Sequence, residues 1–550
     1  MSELSWDEEA DLVVVGSGAG GMAAALRGAE QGKRVVVLER EARWGGTSAW
    51  SGGGMWLPCN PLMARDGEPD SPEDALRYMD TVIGDVGPAS SPERRRAFVE
   101  TAAQVVPWLE QHGMPVLRAS EYPDYYPDKP GGRIGRGVEL DVFNERDLGP
   151  WAATLSTMDP TPYIAMTTKD VFLLPRALRT WRGFAATSGV MLRTIGWFLS
   201  LRKPLGIGMA LMARLTQRAL ELGVDLRLSS PLVELVSQDG AVVGVVCEQG
   251  GVRKRIRALR GVVLAAGGFA KNDTLRRTHQ PVGGEYTSVA PGDQGEAILL
   301  GTELGAAVAL MDDAWWGGSF LDADGNPMFS VTERSMPHCI LVNEAGQRFT
   351  NESASYIDVG HAMLAQNPGG PPPPFWLILD ARHRRRYLFG MAPPGITPKS
   401  WLASENLFKA PTLDALAVQC GINGEGLKAT VARFNTFAAV GVDEDFQRGR
   451  TAYDNYYGDP TVKPNPNLGT IEQGPFYAVR MVPGDLGTKG GLLTDEHARV
   501  LTPEQRPIPG LYATGNSTAS VMGRTYPGPG STLGPAVVFG MRGVDHALGQ

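Results

Sequence analysis

The sequence predicts an α/β fold, and three observations predict it. An apolar strand, Asp11-Leu-Val-Val-Val15, runs into Gly16-Ser17-Gly18-Ala19-Gly20-Gly21 and an alanine-rich helix start. A second strand, Arg34-Val-Val-Val-Leu38, ends on Glu39. Two later strand ends rich in small residues, Ala265-Ala266-Gly267-Gly268-Phe269 and Ala513-Thr514-Gly515-Asn516, return the chain to the same unit from far downstream. These elements describe a Rossmann-like domain that is discontinuous in sequence, with an α+β domain inserted into it.

The opening turn implies a bound dinucleotide. Gly16 makes the tight turn, Gly18 lets backbone approach a pyrophosphate, and Gly21 lets the helix pack close to the strand. The helix N-terminus then offers unpaired N–H groups and partial positive charge to the phosphates. Glu39 stands about 20 residues past the turn, where a carboxylate can bind a ribose hydroxyl. A second glycine cluster follows at once, Gly45-Gly46-Thr47-Ser48 and then Ser51-Gly-Gly-Gly54. A nicotinamide site has no evident use for it, whereas an extended flavin dinucleotide can be wrapped by it, so FAD is favoured over NAD. The last glycine-rich turn, Gly528-Pro-Gly530-Ser531-Thr532-Leu533, again leads into a helix, whose N-terminus suits the flavin pyrimidine end.

The candidate cofactor contacts are Gly16, Gly18, Ala19, Gly20 and Gly21 at the turn, then Glu39 and Arg40 after the second strand. Gly45, Gly46, Thr47 and Ser48 follow, with Val233 in a predicted hairpin. Ala266, Gly267, Gly268, Gly515 and Asn516 lie at the returning strand ends, and Ser531, Thr532 and Leu533 at the last helix. Asp293, in Gly-Asp-Gln-Gly, is either a flavin-proximal contact or a loop cap.

At 550 residues the chain exceeds one ordinary core. The expected division is 1–289 for the first part of the nucleotide domain, with a helical and loop-like insertion at about 115–207. A catalytic domain follows at 290–475, and 476–550 closes the first domain. Helices are expected near 74–79, 93–111 and 208–222, and a hairpin over 233–247 turning at Gly240. A net charge of −8 leaves no electrostatic footprint for nucleic acid. The runs Arg94-Arg95-Arg96 and Arg384-Arg385-Arg386 are expected on solvated faces. Cys59, Cys247, Cys339 and Cys420 form no CxxC, so neither a metal site nor a disulfide framework is expected, and a cytoplasmic location is the simplest. An N-terminus carrying Glu3, Asp7, Glu8 and Glu9 does not read as a signal peptide. The apolar stretch 189–202 is interrupted by Arg193. It is expected to be a helix bordering an apolar pocket, with peripheral membrane contact as the alternative.

Taken together, Gly16–Gly21, Gly45–Ser48, Ala266–Phe269, Gly292–Gly295, Arg348-Phe-Thr-Asn-Glu-Ser353 and Ala513–Asn516 resemble the fumarate reductase/succinate dehydrogenase flavoprotein superfamily. Within it the chain is most similar to the 3-ketosteroid Δ1-dehydrogenases. That narrower resemblance rests on Tyr122-Pro-Asp-Tyr-Tyr-Pro-Asp-Lys-Pro-Gly-Gly132, Asn351-Glu-Ser-Ala-Ser-Tyr356 and Val521-Met-Gly-Arg-Thr-Tyr-Pro-Gly-Pro-Gly530. The resemblance implies non-covalent FAD, a 3-ketosteroid substrate, and a quinone or other electron acceptor. It implies that Tyr526 and the Gly530 N–H bind the C3 carbonyl, that Tyr356 takes the C2 proton while C1 gives hydride to flavin N5, and that Tyr125 or Tyr126 supports the base.

The chemistry needs such groups. Two donors on a ketone oxygen stabilise the developing enolate in a dry pocket. Free tyrosine has a pKa of about 10, so a base of this kind calls for a second phenol that donates to it. Trp315, Trp316, Phe320 and Met336 are expected either to line a sterol pocket or to sit in the core. Two other enzymatic readings stand beside this one: 4,5-desaturation of a 3-ketosteroid, and dicarboxylate reduction using Arg348 and Arg524. A flavin-binding carrier with an inactive site is the non-catalytic alternative.

Overall fold

The computed structural model describes residues 5–158 and 162–549, so Glu3 lies outside the described residues. The strand Glu8–Val15 is central to an eight-stranded sheet. It pairs in parallel with Val35–Leu38 on one side and with Val252–Leu264 on the other. All four residues of Val35–Leu38 are buried, as a strand covered on both faces requires. The thirteen-residue strand Val252–Leu264 serves two further neighbours on its other edge. Its first half pairs antiparallel with Ala241–Gln249, and Val262–Leu264 pairs in parallel with Leu511–Ala513. The sheet is therefore built from both ends of the chain.

The helix Ala19–Ala29 leaves the turn and packs on the final helix, Leu533–Ala547, through small residues. A Cβ on Gly540 would lie 2.5 Å from the Gly20 carbonyl oxygen, which sets how closely the two helices approach. The expected helices appear as Pro72–Ile83, Pro92–Gln111 and Ile207–Glu221, and the hairpin turns at Gly240 with φ 81°.

A second sheet of six strands holds Ala314–Leu321, Pro327–Phe329, Cys339–Val342, Phe375–Leu379, Leu407–Ala410 and Phe476–Thr488. Phe476–Thr488 runs through its middle, antiparallel to three of the others. The expected boundary at 475 is corrected by that pairing, because this strand is the backbone of the second sheet. The start of the expected helical and loop-like insertion contributes Val116–Arg118 and Gly137–Leu140 to a three-stranded sheet with Met55–Trp56.

The arginine runs are corrected too. Arg94, Arg95 and Arg384 are buried. Arg95 pairs with Asp80, and Arg384 donates to the Ile396 carbonyl at 2.6 Å. No helix among the described residues is long and apolar enough to cross a membrane.

Candidate active site

The glycine turn folds as its residues dictate. Gly16 has φ 100°, and a Cβ there would lie 2.4 Å from the Ala265 carbonyl oxygen. Gly21 is closed in as well, with a Cβ position 2.0 Å from the Gly16 oxygen. Gly18 is different: an added Cβ would meet only Ser48 Oγ, at 3.4 Å. It caps the helix Ala19–Ala29 with no side-chain hydrogen bond, so the first turn faces a cavity of about 900 Å³. Glu39 is 8% exposed, and burial raises its pKa. Its carboxylate accepts from Ser17 Oγ at 2.6 Å and from the Glu41 N–H at 3.0 Å.

The cavity runs from this turn past Arg40, Gly46, Thr47 and Ser48, and past Ala266, Gly267 and Asp293, to Gly515, Asn516, Thr532 and Leu533. Ala19 donates to Ser48 Oγ at 3.0 Å, and Ala290 donates to Thr47 Oγ1 at 3.0 Å. Asp293 both lines the wall and caps a loop, since its Oδ1 accepts the Ala270 N–H at 3.0 Å, and burial raises its pKa to about 6. The wall fits an elongated FAD. Bare backbone at a helix start whose first N–H alone is taken, by Ser48, faces the place for a pyrophosphate, and a buried carboxylate sits one strand away.

Five expected contacts are not on this wall among the described residues: Gly21, Gly45, Val233, Gly268 and Ser531. Each has another use or neighbour. Gly21 packs on Gly16, and Gly45 donates to Ser17 Oγ at 2.9 Å. Leu232 takes the place expected for Val233, because adjacent strand residues face opposite ways. Gly268 packs on Thr488, and Ser531 Oγ donates to the Gly528 carbonyl at 2.7 Å. Ser17, at a variable position of the glycine motif, and Trp50, Ser288 and Glu296, which no motif marks, line the cavity without having been singled out.

The same cavity ends among phenols. Tyr125, Tyr356, Tyr526 and Gly530 all line it. The Tyr526 ring lies 5.1 Å from Tyr125 and 4.8 Å from Tyr356, and Tyr125 is 5.4 Å from Tyr356. Tyr356 meets both partners through its ring, edge-on to each. Tyr356 opens the helix Tyr356–Leu364, and the turn bearing Tyr526 is joined to the loop bearing Tyr125. The Tyr125 N–H and the Tyr78 hydroxyl both donate to the Pro527 carbonyl, at 2.8 and 2.6 Å.

Tyr126 is not brought to this group. Its hydroxyl donates to Asp358 at 2.9 Å, and it is absent from the wall among the described residues. Tyr122 and Tyr457 are there instead: Tyr122 is 3.3 Å from the Tyr125 hydroxyl and hydrogen-bonded to Tyr457. Tyr122 heads the same Pro-Asp-Tyr motif, but nothing in the sequence links it to Tyr457.

Burial holds Tyr356 well above the ordinary phenol pKa, and Tyr125 and Tyr526 beside it add to the shift. The lowering expected from a neighbouring phenol is therefore not present. Tyr526 is also raised by burial, but the polar groups of Tyr356, Thr532 and the Gly530 backbone near it work the other way. Trp315, Trp316, Phe320 and Met336 are buried, and none lines the cavity among the described residues. Arg348 is held by Glu352 and Asp443, and Arg524 by Asp312, so neither faces the site as a carboxylate clamp would need.

The FAD binding domain family matches residues 11–533. The chain is 42% identical to the 3-oxosteroid 1-dehydrogenase of Mycolicibacterium smegmatis, over 97% of this chain and 96% of that protein. Among solved structures it is similar to the 3-ketosteroid delta1-dehydrogenase of Sterolibacterium denitrificans in complex with 1,4-androstadiene-3,17-dione. That match has a TM-score of 0.91 and 36% identity, covering 98% of this chain and 99% of the other. It is also similar to the 3-ketosteroid-delta4-(5alpha)-dehydrogenase of Rhodococcus jostii in complex with 4-androstene-3,17-dione, at TM-score 0.66 and 26% identity, covering 100% and 99% of the two chains. With a glycine turn and a trio of phenols on one cavity, and likeness over nearly its whole length, the chain belongs to the FAD-binding flavoproteins and, among them, to the family of 3-oxosteroid 1-dehydrogenases.

Proposed function

We propose that this protein is an FAD-dependent dehydrogenase that places a double bond between C1 and C2 of a 3-ketosteroid. The observation that carries the reading is convergence. Tyr526, Gly530 and Tyr356 share one cavity with the glycine turn and helix start at Gly18.

When bound, FAD supplies the hydride acceptor for C1. The chain supplies the rest. The Tyr526 hydroxyl and Gly530 N–H donate to the C3 carbonyl oxygen and stabilise the enolate that forms as C2 loses its proton. The Tyr356 oxygen takes that proton, and Tyr125, its ring 5.4 Å away, is the phenol that would have to turn its hydroxyl toward the charge left behind. A glycine at 530 keeps the amide uncovered; a Cβ there would lie 2.2 Å from the Gly54 oxygen. The buried rings exclude water, which strengthens each of these interactions. The electrons pass on to a quinone or other acceptor. Four thiols outside any disulfide support a reducing compartment, and we place the protein in the cytoplasm.

The test is anaerobic incubation of the holoenzyme with androst-4-ene-3,17-dione or with a 5α-reduced 3-ketosteroid, following flavin absorbance and product. Bleaching by the first, with formation of the 1,4-diene, is expected. Turnover of the second alone, at the 4,5 bond, would overturn the reading. Binding without bleaching would make the protein a carrier.

A further inference from the structure

Arg334 is a buried cation without a counter-ion. It stands in the short helix Thr332–Ser335 and is 0% exposed. Its guanidinium donates only to main-chain carbonyls: Nε to Ser330 at 3.1 Å, and Nη1 to Glu352 and, at 2.9 Å, to Ala354. Nη2 meets no acceptor among the described residues. The Glu352 carboxylate is taken instead by Arg348 at 2.7 Å and by Arg448 at 3.1 Å. Glu333 is the chain neighbour of Arg334, yet its carboxyl accepts the Gly390 N–H at 3.2 Å and the Ser330 and Thr332 hydroxyls at 3.3 Å. Burial raises the Glu333 pKa, which favours its neutral form and weakens it as a counter-charge. Burying a guanidinium with no carboxylate is costly, so its place calls for a use.

The surroundings supply one, first through the backbone. Ala354 is two residues before Tyr356, so Nη1 fastens the chain where it enters the helix Tyr356–Leu364. Asn467 ties the same segment again: its Nδ2 donates to the Ser335 carbonyl and the Ser353 hydroxyl, both at 3.1 Å, and to the Asp454 carbonyl at 2.8 Å. Asp454 belongs to the helix Ala452–Tyr457, which carries Tyr453 and Tyr457. The second use is charge. Burial works against the Arg334 cation, and Tyr453 and Tyr457 are the neighbours that favour it most. The Tyr453 ring lies 4.6 Å from Tyr125 and 5.3 Å from Tyr457, and Tyr125 lies against Tyr356. Arg334 itself is absent from the cavity wall among the described residues, so it acts through the phenols and not on a ligand.

We propose that Arg334 is a positioning residue for proton abstraction: it fixes the backbone that delivers Tyr356 and holds a positive charge behind the phenols while one of them is ionised as the base. A cation in a dry interior favours a nearby anion more than it would in water. The proposal rests on the steroid reading, since only that reaction asks Tyr356 to act as a base.

The experiment isolates the base step. Full-length holoenzyme is reduced anaerobically, so that its flavin cannot accept hydride, and is incubated with androst-4-ene-3,17-dione in heavy water. Deuterium entering C2 is followed by NMR. C2 gives a proton to Tyr356 and takes back a deuteron, with no net oxidation. Arg334→Lys and Arg334→Gln both keep a donor for the carbonyls and differ in charge. Arg334→Gln is expected to slow C2 exchange by at least about tenfold, the change that one pKa unit makes, and Arg334→Lys to stay within about threefold of wild type. Flavin content and steroid Kd should stay within about twofold in both, since Arg334 is not on the cavity wall. Should Arg334→Gln fail to hold flavin, Arg334→Met, longer and apolar, carries the same expectation. Exchange by the neutral variant at the wild-type rate overturns the proposal, as does an equal fall in Arg334→Lys and Arg334→Gln. Wild type that neither exchanges C2 nor bleaches with steroid strikes the steroid reading itself.

Discussion

The neighbours that act most on Tyr356 are two phenols, and that decides how it can work. Burial keeps its phenol well above the ordinary range, so the protonated form dominates at neutral pH. The fraction able to accept a proton therefore grows with pH. We expect kcat/KM for a 3-ketosteroid to rise steadily from pH 6 to pH 10 with no plateau, and a flat profile would contradict a tyrosine base. The rise has a ceiling set by stability. Buried phenols whose native pKa lies above the unfolded value stabilise the fold fully below about pH 10, and the unfolded chain ionises first above it. Denaturant midpoints should thus fall as pH passes 10. The two candidate supporters also separate at this scale. Tyr125 packs on Tyr356 and Tyr526, whereas the Tyr126 hydroxyl is committed to Asp358. Tyr125→Phe should cut the steroid-driven flavin reduction rate by about tenfold or more, and Tyr126→Phe by clearly less. The motif Tyr-Pro-Asp-Tyr-Tyr alone left both open, because two adjacent phenols differ only in which way the loop turns them.

The turn carrying Tyr526 is fastened from beneath by one side chain. Lys489 Nζ donates to the Gly523 carbonyl at 3.0 Å and the Thr525 carbonyl at 2.6 Å, and lies 4.3 Å from the Trp315 ring centre. Trp315 in turn packs edge-on against Tyr526 at 5.2 Å. Burial pushes the Lys489 ammonium down to about 7, below an unfolded value of about 10.4. Between those values the unfolded chain binds more protons, so this group makes stability rise with pH there. Lys489→Met should destabilise by about 1–3 kcal/mol through the two orphaned carbonyls, and the gap to wild type should widen from pH 7 to pH 10 in urea melts. At the other end, Gly16→Ala should yield protein with little bound flavin, measured from the absorbance of the purified chain, since a Cβ would lie 2.4 Å from the Ala265 oxygen. That glycine turn was legible because strand, turn and helix are contiguous. The strand Phe476–Thr488 was misplaced because its partners lie about the second sheet and no local pattern records them.

Across the molecule, the site is assembled from segments far apart in sequence. Tyr125 comes from a loop after the first nucleotide-binding unit, Tyr356 from the start of a helix on the second sheet, and Tyr526 from the turn before the last helix. The sequence named these residues through the family resemblance, but their meeting depends on the Pro527 carbonyl taking donors from Tyr125 and Tyr78. The pairing of Tyr122 with Tyr457 entered only with the three-dimensional structure, since ring packing between distant segments leaves no periodic trace. The helix Trp181–Leu199 was legible as apolar, but its direction was not. Among the described residues it does not border the cavity, which corrects the expectation of a pocket wall, and facing inward and facing outward read alike until Gly183 and Val190 fix which side is seated.

The central claim is that Tyr526 steadies the charge on a substrate carbonyl, and one measurement tests it most directly. Purified Tyr526→Phe holoenzyme is mixed anaerobically with androst-4-ene-3,17-dione and the rate of flavin bleaching is followed. Loss of a single enolate donor predicts a fall of at least about 100-fold with flavin content unchanged; a rate within a few-fold of wild type would contradict the account.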